Sequence, residues 1–203
     1  MKKLILVLVL SVFCISSLSF GQITSTGVKG LWGATATWTG GKVPTASDDV
    51  VIAAGDSVTF STATAACKNL TINGVLQFSK TAVCALTVNG DLLVSATGGF
   101  KVQSNGNTGA TGDFVNTLDL KGNLTHNGTL FEFRSGSAGS TLGVCNLTLS
   151  GSTNSTLTVS TTYSSTNGDL NGVTINKTGS AKVILGSNIY ISGGSTTGPG
   201  AAQ

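Results

Sequence analysis

Apolar and polar residues alternate through much of this chain, and two nearly identical stretches show the pattern most clearly: Leu70-Thr-Ile-Asn-Gly-Val-Leu-Gln-Phe78 and Leu86-Thr-Val-Asn-Gly-Asp-Leu-Leu-Val94. In the first, Leu70 and Ile72 take one side of an extended chain, and Thr71 and Asn73 take the other. Asn73-Gly74 then predicts a sharp corner made by positive-φ residues, after which alternation resumes at Leu76 and Phe78. The second stretch repeats this with Leu86 and Val88, Asn89-Gly90, then Leu92 and Val94, sixteen residues further on. One such strand–corner–strand unit cannot bury its own apolar side, but stacked copies can share a core.

Looser copies flank the pair. Val50-Val-Ile52 turns through Gly55-Asp56 towards Val58 and Phe60, and Leu118-Asp-Leu-Lys-Gly-Asn-Leu124 keeps the spacing of the first pair. Leu147-Thr-Leu149 leads to Leu157-Thr-Val159, and Val173-Thr-Ile175 leads to Val183-Ile-Leu185 and Ile189-Tyr-Ile191. Phe100-Lys-Val102 reads as a degenerate copy before a Gly/Asn-rich loop. Uneven corners on constant strand chemistry predict an all-β chain, a right-handed parallel β-solenoid with irregular rungs. A β-sandwich is the alternative, since short strands at this spacing also suit it. The solenoid reading stacks Ile72, Val88, Leu120, Leu149 and Ile175 inward as one column, because they hold the same place in five copies.

The ends differ from the middle. Lys2 and Lys3, the apolar run Leu4 to Ile15 and the small residues Ser17 to Gly21 predict a signal peptide over 1–21, cleaved before Gln22. That run is too short for a membrane-spanning helix. Residues 22–48 hold both tryptophans and are expected to cap a solenoid running over 49–191, with a flexible Gly/Ser/Thr tail at 192–203. Nothing in that tail would cover the last apolar strand, so either self-association through an uncapped C-terminal rung or further rungs in a longer natural chain is expected.

Composition narrows the function classes. Only 9% of the 203 residues are charged while 40% are hydrophobic, which suits a folded β protein better than disorder. Loss of Lys2 and Lys3 with the leader takes the 11 basic residues to 9, against 8 acidic ones. A nearly neutral chain lacks the clustered basic face that nucleic acid requires.

Trp38-Thr-Gly-Gly-Lys-Val-Pro44, Asp48-Asp-Val-Val-Ile52 and Gly55-Asp-Ser-Val58 together resemble the opening segment of secreted β-solenoid surface proteins of Bacteroidetes-type bacteria, many exported by the type IX system. The same residues are similar to the eight-glycine extracellular domain. The resemblance covers roughly residues 32 to 191 and implies a secreted or cell-surface, adhesin-like protein. The C-terminal sorting domain of such proteins does not follow, so a fragment of a longer protein is expected.

Candidate chemistry is sparse. Asp48 and Asp49 offer carboxylates to calcium, but neighbours in an extended chain point to opposite sides, and a turn is the plainer reading. His126, Glu132 and Arg134, with Asp119 and Lys121 nearby, are where a polysaccharide lyase would show itself. One histidine and eight acids are a poor catalytic inventory, so no enzyme activity, cofactor or metal is expected. Thr71, Thr87, Thr148 and Thr174, with Asn73, Asn89 and Asn176 beside them, form an expected outward ladder. Such a ladder would suit glycans, another cell surface or, as a third reading, ice, and it equally suits an ordinary solvated β face. Trp32 and Trp38 could stack on sugars, but their place before the first rung favours capping. Asp56-Ser-Val58 also resembles a short bacterial O-glycosylation acceptor.

Cys67, Cys84 and Cys145 all fall at the leading corner of a rung. Stacked rungs lie about 4.8 Å apart, inside the Cα window of about 4.4–6.8 Å for a disulfide, so a Cys67–Cys84 bridge is geometrically open and Cys145 is expected to be free. A one-residue difference in offset favours the alternative, in which all three are buried fillers. The sequence thus predicts a secreted, non-enzymatic, structural or adhesin-like solenoid, with glycans or another surface component as partner.

Overall fold

The chain winds across three faces in turn and stacks each new strand, in parallel, on the one a full turn earlier. The structure is a computed structural model and describes residues 21–27, 29–103, 114–135, 143–160 and 169–191. The first face carries β1 (Gln22–Thr24), β3 (Asp49–Ile52), β6 (Leu70–Ile72), β9 (Leu92–Val94), β12 (Leu124–His126), β16 (Ser155–Val159) and β19 (Val183–Leu185). The second carries β2 (Gly30–Leu31), β4 (Ser57–Phe60), β7 (Val75–Phe78), β10 (Gly99–Val102), β13 (Leu130–Glu132), β17 (Asp169–Leu170) and β20 (Tyr190–Ile191). The third carries β5 (Thr64–Cys67), β8 (Ala85–Val88), β11 (Phe114–Leu120), β15 (Gly143–Gly151) and β18 (Gly172–Lys177). A short β14 (Arg134–Ser135) adds antiparallel to β15. All other strand pairings are parallel, which identifies a β-solenoid and rules out the sandwich alternative.

The two matching stretches do not stack on each other. Leu70 pairs with Leu92, 22 residues on, whereas Leu86 lies on the third face beside Ala65 and Leu118. The first stretch spans the corner from first to second face, and the second spans the corner from third to first. A three-sided coil has three corners per turn, and the same chemistry serves two of them. The expected single column accordingly splits in two. Val88, Leu120, Leu149 and Ile175 stack with Cys67 on the third face, while Ile72 stacks with Ile52, Val94 and His126 on the first.

The corner glycines also work differently from expectation. Neither Gly74 nor Gly90 has positive φ. Instead a Cβ on Gly74 would run into the Ala53 and Asp56 carbonyl oxygens, and one on Gly90 into the Asn69 side chain. Glycine is needed there because stacked corners approach closely.

Front coverage begins before the expected boundary. β1 and β2 already pair with β3 and β4, so residues 22–48 supply strands as well as a cap. Two single-turn 3-10 helices, Thr35–Thr37 and Thr39–Gly41, follow β2, with the fully buried Trp32 and Trp38 on either side of the first. The indoles meet edge to face at 5.1 Å, and Trp38 Nε1 donates to the Trp32 carbonyl at 2.7 Å. From Trp32 an aromatic column runs inward through Phe60, Phe78, Phe100 and Phe133. Residues 1–20 and the tail 192–203, where most of the leader and the flexible tail were expected, lie outside the described residues.

Candidate functional site

Asp49 opens β3, and Asn69, Asp91 and Asn123 stand just before β6, β9 and β12; these side chains stack into a ladder. Asn69 Nδ2 donates to Asp49 Oδ1 at 2.7 Å, and the Asp91 backbone N–H donates to Asn69 Oδ1 at 2.8 Å. Asn123 N–H donates to Asp91 Oδ1 at 2.7 Å, and Thr156 N–H to Asn123 Oδ1 at 2.8 Å. Each of these four side chains thus satisfies a corner donor of the following rung, where a strand ladder is interrupted. The signal was present in the sequence as Asp49-Val50, Asn69-Leu70, Asp91-Leu92 and Asn123-Leu124. It was missed because these residues read as generic turn formers.

This ladder also settles Asp48 and Asp49. Asp49 turns to Asn69 and Lys68, while the buried Asp48 accepts from the Thr45 N–H at 2.8 Å, the Thr45 hydroxyl at 2.6 Å and Lys42. The two carboxylates diverge and build no common calcium site. Burial alone would raise the Asp48 pKa, but the Thr45 hydrogen bonds and the Lys42 ammonium outweigh it and hold the group below its ordinary value.

The expected outward ladder divides between faces. Thr71 lies on the first, in a column with Val51, Leu93, Thr125 and Thr158, and Asn73 follows at the next corner. Thr87, Thr148 and Thr174 lie on the third face, with Asp119 between the first two. In the adjoining column Asn89 accepts from Lys121 Nζ at 2.7 Å, Asp119 accepts from the Ser150 hydroxyl at 2.6 Å, and Asn176 follows Ser150. No uninterrupted threonine surface results on either face.

The charged neighbourhood disperses in the same way. His126 is fully buried on the inner side of the first face, 4.3 Å from the Phe131 ring, with Nε2 3.0 Å from the Leu130 carbonyl. Burial pushes its pKa down, opposed by its backbone hydrogen bonds. Glu132 belongs to the second face and Asp119 to the third, so the three do not converge. Among the described residues, no three His, Cys, Asp or Glu side chains gather as a metal site requires. No helix of these residues is long and apolar enough to cross a membrane.

The Cys67–Cys84 bridge is corrected by register. Cys67 pairs with Val88, four positions beyond Cys84, which places the two about 13 Å apart along the strand and outside bridging range. All three cysteines are free and buried. Desolvation, with Asp49 nearby, pushes the Cys67 thiol up to about 12, and burial raises Cys84 and Cys145 as well. Asn116 separates the last two, accepting from the Cys84 N–H at 2.9 Å and donating to the Val144 carbonyl at 3.1 Å. The filler alternative describes these thiols. Trp32 and Trp38, being buried, present no sugar-stacking face.

What the outer surface does offer is a groove of about 300 Å³ on the second face, lined by Lys29, Gly30, Leu31, Ser57, Thr59 and Gln77. It lies where the two-residue β2 pairs with β4, which in turn pairs with β7. Leu31, Thr59 and Gln77 share one outward column, and Gln77 Nε2 donates to Thr59 Oγ1 at 2.8 Å. Leu31 is 52% exposed, an apolar step beside hydroxyls, a carboxamide and an ammonium. Leu31, Thr59 and Gln77 share neither a residue type nor a regular spacing, so no repeat in the sequence marks this column.

A model of the G8 domain matches residues 37–162, from just before the second tryptophan to just past the sixth strand of the first face. No curated protein and no solved structure matches the chain.

Proposed function

We propose that this chain, which belongs to the G8 domain family, is an exported, adhesin-like binding module whose groove beside Leu31 takes a glycan. G8 domains are typical of extracellular proteins. The charged start at Lys2 and Lys3 and the apolar run to Ile15 support export with a cleaved leader. The opening motif supports attachment to a bacterial surface after passage through a type IX-like route.

The groove carries the ligand assignment. Sugars present a rim of hydroxyls around patches of C–H, and Ser57, Thr59 and Gln77 offer donors and acceptors to the rim while Leu31 meets the patch. Lys29 at the margin favours an acidic substituent. These groups stand on strands whose positions the stacked core fixes, so binding requires little reordering.

A glycan array probed with the intact chain tests this. Hydroxyl-rich glycans should bind, and Leu31→Asp and Gln77→Ala should each weaken the signal about tenfold or more, a change of roughly 1.4 kcal/mol. Both variants should melt like the parent. Binding that survives both changes, or an array with no signal, overturns the assignment.

A further inference from the structure

The groove beside Leu31 is the front of a longer track on the second face. Leu31, Thr59, Gln77 and Lys101 follow one another in a single outward column over four successive rungs. Phe100 and Val102, on either side of Lys101, are buried, which turns the lysine outward. In the neighbouring outward column Ser57 stacks on Val75, a half-buried apolar residue two positions before Gln77. Val75 stacks in turn on Gly99. A Cβ on Gly99 would meet the Leu130 side chain at 3.1 Å, so the leucine of the next rung fills that place and closes the track.

Both ends of the track carry a lysine. Lys29 lines the groove two residues before Leu31. Lys101 stands three strand spacings from Leu31, about 14 Å along the stack. Lys42, Lys68, Lys121 and Lys177 all meet protein acceptors. Neither Lys29 nor Lys101 holds a hydrogen bond or an ion pair among the described residues. Between the two stand only uncharged side chains, those of Leu31, Ser57, Thr59, Val75 and Gln77. One rung beyond Lys101 the column turns acidic, at Glu132.

Resting on the glycan reading of the groove, we infer that its ligand is a linear uronate polysaccharide laid along the stack from Lys29 to Lys101. The two ammonium groups without protein acceptors each offer a carboxylate a charge-assisted hydrogen bond. A chain that crosses the strands meets a new rung about every 4.8 Å, close to the length one sugar adds to a linear polymer, so about four residues span the track. Val75 and Leu31 meet the C–H surfaces of these sugars, and Ser57, Thr59 and Gln77 meet their hydroxyls. The Glu132 carboxylate repels an acidic chain and Leu130 fills the adjoining column, which together set the rear limit of the footprint. A neutral glycan uses the same floor but draws nothing from either lysine.

Calorimetric titration of the intact chain with polygalacturonate and with alginate, each against its methyl-esterified form, tests this. The acidic polymers should bind about tenfold tighter or more than their esters, and the advantage should shrink as salt is added. Lys29→Gln and Lys101→Gln should each weaken the acidic polymers about tenfold and leave ester binding unchanged. The Lys101→Gln loss should appear with tetragalacturonate and vanish with digalacturonate, which is too short to reach from Leu31. Both side chains point outward, so the variants should melt like the parent. Equal affinity for acids and esters, or acid binding that Lys101→Gln leaves intact, overturns the inference while the glycan reading stands. Binding of neither acids nor esters overturns it as well, and the glycan array then decides the wider reading separately.

Discussion

The two ends of the coil solve the same problem differently. At the front, no rung is described before the first turn, and Trp32 and Trp38 pack over its inward side so completely that both are essentially inaccessible to solvent. At the rear, Ile175, Leu185 and Ile191 occupy the same inward columns with nothing described above them. A stacked coil buries each rung with its neighbours, so the burial of an inward residue depends on its place in the stack as much as on its chemistry. Leucine at position 157 is core; leucine at position 185, in the same column, is surface.

Truncation should expose that contrast most strongly. Trp32→Ala removes a side chain that touches Trp38 and Phe60 and should destabilise the fold by about 3–5 kcal/mol. Leu185→Ala, at a position 63% exposed, should cost about 0.5 kcal/mol or less. Denaturant melts of the two variants decide the matter. Equal losses would mean that the rear is covered as well as the front.

A smaller effect separates the ends by pH. Asp48 anchors the capping segment through Thr45 and Lys42, and its pKa is lowered in the folded state. Its contribution is complete above the unfolded value near 3.8 and disappears as the pH falls through the lower folded value. Asp48→Asn should therefore lower the melting temperature at neutral pH, and the gap to the parent should close as the pH falls from the unfolded value through the lower folded one. A gap that stays constant across this range would show that the carboxylate's charge contributes nothing.

Much of this architecture was legible in the alternation of apolar residues. Parallel stacking and the inward register of Val88, Leu120 and Leu149 were readable. The length of a turn was not. Leu70-Thr-Ile-Asn-Gly74 and Leu86-Thr-Val-Asn-Gly90 are alike because strands and close-packed corners make the same local demands on any face. Local likeness therefore reports the kind of corner and leaves its place in the turn open. The 16-residue spacing was a distance between faces, and from that one misreading came the merged threonine ladder and the Cys67–Cys84 bridge. The corner ladder of Asp49, Asn69, Asp91 and Asn123 stayed hidden for a related reason. Its members lie 20, 22 and 32 residues apart, and only the three-dimensional stack brings them into contact. The groove was similarly obscured, since its lining residues come from 29–31, 57–59 and 77 and meet only in the stack.

Register is thus the claim on which the faces, the groove and the exposed end all rest. Engineered cysteine pairs read it directly, and the buried native thiols, with their raised pKa values, compete little in the folded chain. Thr71 and Leu93 are outward partners on adjacent rungs of the first face, whereas Thr87 lies on the third. Under mild oxidation, Thr71→Cys with Leu93→Cys should form an intramolecular disulfide in nearly every molecule, and Thr71→Cys with Thr87→Cys should form none. Bridging of Thr71 to Thr87 instead would contradict the three-faced coil.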